Sequence, residues 1–162
     1  MDDPIYAHGL RFSCARCSSC CRGAPGFVFL SKLDLARLLE GLELDFQRFF
    51  RNYCKLVDTG AGLSLSLTEK ANFDCVFWNE RGCSIYDFRP LQCSTYPFWA
   101  SVLESSELWN AESRHCPGVG KGDLKTRRYI EGCLYRRRSE GLIMLDYGTD
   151  PESIDADTIL GR

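Results

Sequence analysis

The sequence predicts a small α+β fold, a single domain in which a helical hairpin and short β-hairpins are joined by cysteine-rich loops. Three observations support this prediction. The chain has 162 residues, enough for one ordinary hydrophobic core. Its first third shows helical spacing of apolar residues, and a strand-like alternation follows. Ten cysteines far exceed ordinary usage, so we expect whatever they bind to organise the loops.

The first predicted elements are two helices. Ser31 can accept a hydrogen bond from a helix N-terminus and Asp34 is favoured in a first turn, so a helix is expected to start here and to end at Gly41. Apolar and aromatic residues at helical spacing between positions 44 and 53 predict a second helix. The two should form a helical hairpin.

The middle of the chain predicts strands. Leucines alternate with serines over residues 63–67, the period of a half-buried strand. Residues 75–86 contain two β-prone runs around a turn in which Gly82 takes a left-handed bulge position. That turn would pair Asn79 with Cys83, forming a β-hairpin.

Three further elements are expected beyond this hairpin. Residues 87–90 read as a short helical turn entered through proline. Residues 96–103 and 108–110 suggest another hairpin. Asp123 should cap a helix that runs to Arg138.

Charge divides the C-terminal part of the chain. Residues 121–138 hold seven Lys/Arg and two Asp/Glu, whereas residues 139–162 hold six Asp/Glu and one Arg. We therefore predict a cysteine-cluster domain over residues 11–120, a basic C-terminal helix over 121–140 and an acidic, loosely ordered tail over 141–162.

The N-terminus lacks the charged start, apolar run and cleavage site of a signal peptide, and no apolar run is long enough to span a membrane. A cytoplasmic location without membrane contact is the expectation. Thiols stay reduced there, so dense cysteine usage favours metal binding or redox chemistry over structural disulfides.

Four cysteines form a dense first group, with the spacing C-x2-C-x2-C-C over residues 14–21. Either a helix or a loop with two knuckles could point three or four of these sulfurs at one centre. Four thiolates suit tetrahedral zinc or an iron–sulfur cluster, and the ligand type alone does not choose between them.

Cys75, Cys83, Cys93 and Cys116 form a second, dispersed group. In a regular hairpin, Cys75 would lie roughly 13 Å from the level of Cys83, too far for two ligands of one metal. Either Cys75 lies in irregular chain before the strand and folds back, or the two cysteines serve different centres that the N-terminal cysteines complete. His115 is an alternative imidazole ligand.

These motifs resemble the cysteine-cluster proteins named for C-x-x-C-x-x-C-C, described as zinc- or iron-chelating domains. The resemblance rests on residues 14–21, on Gly82–Cys93 with Tyr96-Pro97-Phe98, and on Cys116–Gly120. It implies a metal set from which Cys54 and Cys133 are absent. The implied ligands are Cys14, Cys17, Cys20, Cys21, Cys75, Cys83, Cys93 and Cys116.

The resemblance implies a metal-binding protein that chelates zinc or iron, with an iron–sulfur cluster as a possible cofactor. A similar cysteine domain occurs in flagellin lysine methyltransferases, which implies an alternative: an iron–sulfur-dependent redox or protein-modifying enzyme with a protein partner. The chain shows no strand followed by a G-x-G nucleotide loop, so the sequence supports methyl transfer weakly.

Two other readings are weaker. Nucleic-acid binding through the basic residues near the C-terminus is disfavoured by the net charge of −2. A disulfide-crosslinked protein is disfavoured by the expected reducing compartment.

Overall fold

The computed structural model describes residues 3–161 and confirms the α+β class. The chain forms two compact units. The first unit contains the described residues up to Cys21 together with Thr95–Ser139, and the second contains Arg22–Ser94 and the chain from Glu140 onwards. Each unit has its own cluster of buried apolar side chains.

The helices of the described chain are α1 (Lys32–Leu42), α2 (Phe46–Tyr53), α3 (Leu91–Thr95), α4 (Ser106–Glu112), α5 (Arg127–Ser139) and α6 (Ala156–Leu160), with 3-10 turns at Ser19–Cys21, Tyr86–Phe88 and Pro151–Ser153. The strands are β1 (Leu10–Phe12), β2 (Cys54–Asp58), β3 (Leu63–Leu67), β4 (Trp78–Asn79), β5 (Gly82–Cys83), β6 (Val119–Lys125) and β7 (Met144–Leu145). Within residues 3–161, no helix is both long and apolar enough to cross a bilayer.

The first unit is built on the antiparallel pair of β1 and β6. Its core centres on Phe98, whose ring lies 5.5 Å from that of Phe12 and 5.7 Å from those of Trp109 and Tyr129. Helix α5 buries Cys133 in this core. A thiol outside the predicted metal set thus serves as a small apolar side chain.

The second unit packs α1 and α2 against a three-stranded antiparallel sheet in the order β2-β3-β7. The predicted helical hairpin and the strand over residues 63–67 are confirmed. Strand β2, which the sequence analysis missed, pairs along its whole length with β3.

A buried carboxylate connects α1 to α3. Asp34, expected in the first turn, completes a capping box with Ser31 and also accepts the backbone N–H of Leu91 at 2.8 Å. Arg37 pairs with the same carboxylate at 2.6 Å. Leu91 is the first residue of α3, the helix that carries Cys93. Asp34, which lies in α1, therefore accepts an N–H group at the N-terminus of α3 and fixes the position of that helix.

The predicted end of α1 was one residue early. The helix continues through Gly41 to Leu42, and Glu43 adopts the left-handed conformation with φ of 52°. A Cβ atom at Gly41 would lie 2.8 Å from the ring of Phe88. Glycine is required here by close packing and not by a helix stop.

Two other expected elements were wrong. Residues 96–110 do not form a hairpin; Ser105 caps α4 by accepting the backbone N–H of Leu108 at 3.2 Å. Asp123 lies inside β6 and does not cap a helix, since α5 begins at Arg127 after Thr126, whose hydroxyl accepts the N–H of Tyr129.

The C-terminal segment, expected to be loosely ordered, contains secondary structure. Strand β7 pairs with β3, and the side chains of Ile143, Ile154 and Ile159 are buried. Asp150 and Asp155 accept backbone N–H groups at the starts of a 3-10 turn and of α6. Two of the six acidic residues of residues 139–162 thus have a helix-capping role.

The role of Asp34 can be tested by stability. Asp34→Ala removes both its part of the cap of α1 and the hydrogen bond to the N–H of Leu91, so we expect it to lower the free energy of unfolding by about 2–4 kcal/mol. Asp45, an exposed N-cap of α2 whose side chain accepts the N–H of Arg48, is the matched control. Asp45→Ala should cost about 1 kcal/mol in urea denaturation followed by circular dichroism. Equal losses in the two variants would contradict the linking role of Asp34.

Candidate metal centre

All ten cysteines lie within the described residues, where they are present as thiols. The first unit holds the four cysteines of residues 14–21 and Cys116; the second holds Cys75, Cys83 and Cys93. Cys14, Cys17 and Cys20 are exposed, whereas Cys116 is buried. The predicted ligands therefore occur in two groups, one in each unit.

The N-terminal cysteines lie on an irregular loop that ends in a 3-10 turn, which is the second of the two backbones the spacing allowed. Arg16 and Ser18 have φ values of 51° and 63°. L-residues adopt this region at a cost of roughly 1 kcal/mol each. The Sγ atoms of Cys20 and Cys21 are 3.7 Å apart. The strained loop thus brings neighbouring sulfurs together.

Cys116 begins a tight turn that brings two backbone N–H groups toward its sulfur. The N–H of Val119 donates to the Cys116 carbonyl at 3.1 Å. Burial raises the pKa of the Cys116 thiol, the backbone N–H groups of Gly118 and Val119 act on its sulfur to lower it, and Cys17 and Cys20 raise it. The turn therefore offers hydrogen bonds to an anionic sulfur that has two other thiols in its vicinity.

Cys75 begins a turn of the same kind in the second unit. The N–H of Trp78 donates to the Cys75 carbonyl at 2.9 Å. Burial raises the pKa of the Cys75 thiol; the N–H groups of Phe77 and Trp78 lower it, and the neighbouring Cys83 raises it. In both turns the donors come from the second and third residues after the cysteine.

Cys75 lies before β4, where it forms an isolated bridge with Glu69, and its sharing of one metal with Cys83 stays a prediction. The predicted hairpin exists, but its register differs from the prediction. Trp78 pairs with Cys83 and Asn79 with Gly82, so the loop has two residues instead of three. Gly82, with φ of 106°, keeps the positive backbone angle that the sequence indicated. This register places Cys83 opposite Trp78, one residue from the expected pairing.

The residues preceding Cys93 fix the position of its helix. Gln92 donates to the carbonyl of Phe27 at 2.7 Å and accepts the N–H of Phe29 at 3.2 Å. Arg89 donates to the carbonyl of Tyr86 at 2.5 Å, and its guanidinium lies over the Tyr86 ring. These side chains act on the backbone and so hold the segment that leads into Cys93.

Asp74, which sequence reasoning missed, anchors the chain that follows the N-terminal cysteine loop. Its buried carboxylate accepts the N–H of Gly23 at 3.2 Å and lies 3.7 Å from the Nε of Arg22. The Arg22 guanidinium stacks on Trp78 at 3.8 Å from the ring centroid. The only sequence signal for this role is the position of Asp74 directly before Cys75.

The donor chemistry fits zinc or iron, because all eight candidate ligands are thiols and two of them have backbone donors directed at sulfur. As their side chains stand in residues 3–161, no three His, Cys, Asp or Glu residues are close enough to hold an ion together. His115, the alternative ligand, is exposed.

Two small hydrophobic cores, short sheets and cysteine turns define an α+β cysteine-cluster domain. The chain belongs to the CxxCxxCC family, whose model carries the description "Putative zinc- or iron-chelating domain" and matches residues 13–117. The family predicted from the motifs is therefore confirmed.

Two relatives come from Methanocaldococcus jannaschii. Uncharacterized protein MJ0661 is 27% identical over 128 residues, which cover 75% of this chain and 65% of the relative. Uncharacterized protein MJ0939 is 24% identical over 138 residues, covering 78% of this chain and 44% of the relative. The chain thus spans less than two thirds of either relative. No solved structure matches the chain.

The Cys116 turn makes a steric prediction. A Cβ atom at Gly118 would lie 2.2 Å from the backbone oxygen of Ser13, so Gly118→Ala must displace either β1 or the turn. We expect this substitution to destabilise the protein by about 1–3 kcal/mol. Gly132 in α5 has open space at its Cβ position, and Gly132→Ala should stabilise by about 1 kcal/mol. Thermal unfolding of both variants gives the comparison, and an unchanged Gly118→Ala protein would count against the close approach.

Proposed function

We propose that the protein binds zinc or iron through cysteine thiolates, as a metal-binding protein of the cytoplasm. The ligands are drawn from the two groups described above. In the first unit they are Cys14, Cys17, Cys20, Cys21 and Cys116; in the second they are Cys75, Cys83 and Cys93. The matching turns at Cys75 and Cys116 are the observation that carries this proposal.

The turns favour anionic sulfur over neutral thiol. A backbone N–H directed at sulfur stabilises the thiolate, which is the form that binds metals. Neighbouring thiols act in the opposite direction, because each added negative charge opposes the ionisation of the next. A bound cation reverses this balance, since it attracts every thiolate around it. The arrangement is thus suited to a group of sulfurs that ionise together when a metal arrives.

The N-terminal loop supplies the remaining donors of the first unit. Its exposed cysteines can be reached by a metal ion from solvent, whereas Cys116 provides a buried anchor. Zinc is satisfied by four thiolates in a tetrahedron, and iron–sulfur clusters also use cysteine thiolates. Because eight candidate thiols exceed the four that one such centre needs, the count accommodates two centres.

Metal content provides the first test. Protein purified anaerobically without added metal should contain at least one equivalent of zinc or iron by elemental analysis. Cys75→Ala and Cys116→Ala should each lose half or more of the bound metal. Cys54→Ala and Cys133→Ala, which truncate cysteines outside the ligand set, are the matched controls and should retain it. Less than half an equivalent in the unsubstituted protein, with no binding of added zinc or iron, would refute the proposal.

Absorption spectra distinguish the two metals. A zinc protein is colourless, and replacement by cobalt should give the intense near-ultraviolet absorption of thiolate ligation. An iron–sulfur protein is brown, and its visible absorption should fall on reduction with dithionite. A chelator should also lower the melting temperature if metal binding contributes to folding stability. A melting temperature that chelation leaves unchanged would contradict that stabilising role.

A further inference from the structure

The net charge of −2 is distributed unevenly between the two units. Residues 1–21 and 95–139, the first unit, contain ten Lys/Arg and seven Asp/Glu, whereas residues 22–94 and 140–162, the second, contain ten and fifteen. The charge of the whole chain, which disfavours nucleic-acid binding, therefore does not describe the first unit. The positive excess of that unit lies in and just before α5.

Helix α5 buries its apolar side in the core of the first unit, where the side chains of Ile130 and Cys133 are fully buried. A helix that binds a membrane surface needs an outward apolar face. The apolar face of α5 is already used within the fold. A partner of this helix is therefore contacted by the charged and aromatic side chains of the opposite side.

The outward side of α5 alternates aromatic rings with guanidinium groups. Seven residues complete nearly two helical turns, so Arg128 lies in one row with Tyr135, and Tyr129 lies in another with Arg136. All four side chains are exposed, and Tyr135 is 68% accessible to solvent. The Lys125 ammonium lies 5.7 Å from the centroid of the Tyr129 ring and adds a further positive charge.

Most of these arginines have no acidic partner within the described part of the chain. Arg127 pairs with Glu131 at 2.7 Å. Within residues 3–161, no carboxylate oxygen lies within 4.0 Å of a side-chain nitrogen of Arg128, Arg136 or Arg138. The exposed face of α5 thus carries positive charge that its own unit does not neutralise by ion pairs.

The position of Arg128 is unfavourable for the helix itself. It is the second residue of α5, and a positive charge in the first turn opposes the helix dipole. The arginines of the last turn, by contrast, interact favourably with the dipole. Helix stability therefore accounts for the basic C-terminus of α5 but not for Arg128, whose charge indicates a role in binding.

We infer that the exposed face of α5 binds single-stranded RNA, with its arginines on phosphates and its tyrosine rings stacked on bases. Single strands and loops of RNA present unstacked bases, which stack on aromatic side chains, and a phosphate backbone, which binds basic ones. An acidic peptide would use the arginines but not the rings, and the bases of a duplex are already stacked on one another. This inference is independent of the proposed metal-binding function.

The test is the fluorescence anisotropy of a labelled single-stranded RNA of about twelve nucleotides, titrated with the full chain at several salt concentrations. Tyr135→Ala removes a ring without changing the charge, and we expect it to weaken binding by about tenfold. Tyr135→Phe keeps the ring and should retain the affinity. Arg128→Gln should weaken binding and also reduce the slope of log affinity against log salt by about 0.7, the contribution of one phosphate contact.

Arg114→Gln is the matched control for charge, because Arg114 is exposed in the same unit but lies outside α5, and this variant should leave the salt slope unchanged. Arg138→Gln, at the other end of α5, is a second charge variant with the same expectation as Arg128→Gln. Circular dichroism and the melting temperature of each variant should match those of the unsubstituted protein, since all the substituted side chains are exposed.

Several outcomes would overturn the inference. The first is the absence of RNA binding at low salt. The second is an unchanged affinity in Tyr135→Ala, which would show that the face reads charge alone. A polyglutamate peptide that binds as tightly as the RNA would assign α5 to an acidic protein partner. Tighter binding of single-stranded DNA of the same sequence would assign the face to DNA instead.

Discussion

The structure of the candidate centre depends on backbone N–H groups directed at cysteine sulfur. At Cys75 and at Cys116, a turn closed between the cysteine carbonyl and the third following N–H places two amide donors at the side chain. An amide donor carries no charge of its own that could be lost by titration, and its direction is set by the backbone. The backbone conformation of each turn therefore sets the preference for anionic sulfur, and the surrounding elements hold that conformation.

Each turn leads directly into a strand. The Cys75 turn enters β4, whose partner β5 carries Cys83, and the Cys116 turn enters β6, which pairs with β1 just before the N-terminal cysteine loop. Strand pairing thus fixes the residue that follows each turn. Before the Cys116 turn, the backbone carbonyl of Glu112 accepts the N–H of Cys116. Before the Cys75 turn, the side chain of Asp74 accepts the N–H of Gly23. The sheets are too short to be stable alone, so the two buried apolar clusters must supply the rigidity that the turns require.

Local signals in the sequence predicted the elements whose causes are local. The N-cap role of Ser31, the first-turn position of Asp34 and the leucine–serine alternation over residues 63–67 depend on neighbours a few positions away, and these expectations were confirmed. The α+β class was likewise accessible from residue spacing, and the family from the resemblance of the cysteine motifs to known members. The ligand assignment for the eight cysteines stays a prediction.

The contact between Tyr96 and Glu112 joins residues 16 positions apart and leaves no periodic pattern. The hairpin register failed by one residue because two-residue and three-residue loops are both compatible with a glycine at position 82.

The N-terminal loop and the two turns contribute different numbers of cysteines to the candidate metal site. Each turn contributes a single leading cysteine, and these two cysteines are partly or fully buried. The loop supplies four cysteines in eight residues at the cost of two L-residues with positive φ. The start of the loop is held by Ser13, whose hydroxyl accepts the N–H of Asp123 in the same unit. This anchor lowers the conformational entropy that the adjoining part of the loop would lose when its thiolates close on a cation. The positive φ values at Arg16 and Ser18 thus belong to a loop that is anchored at its start and mostly exposed to solvent, and their cost is part of what metal binding would have to offset.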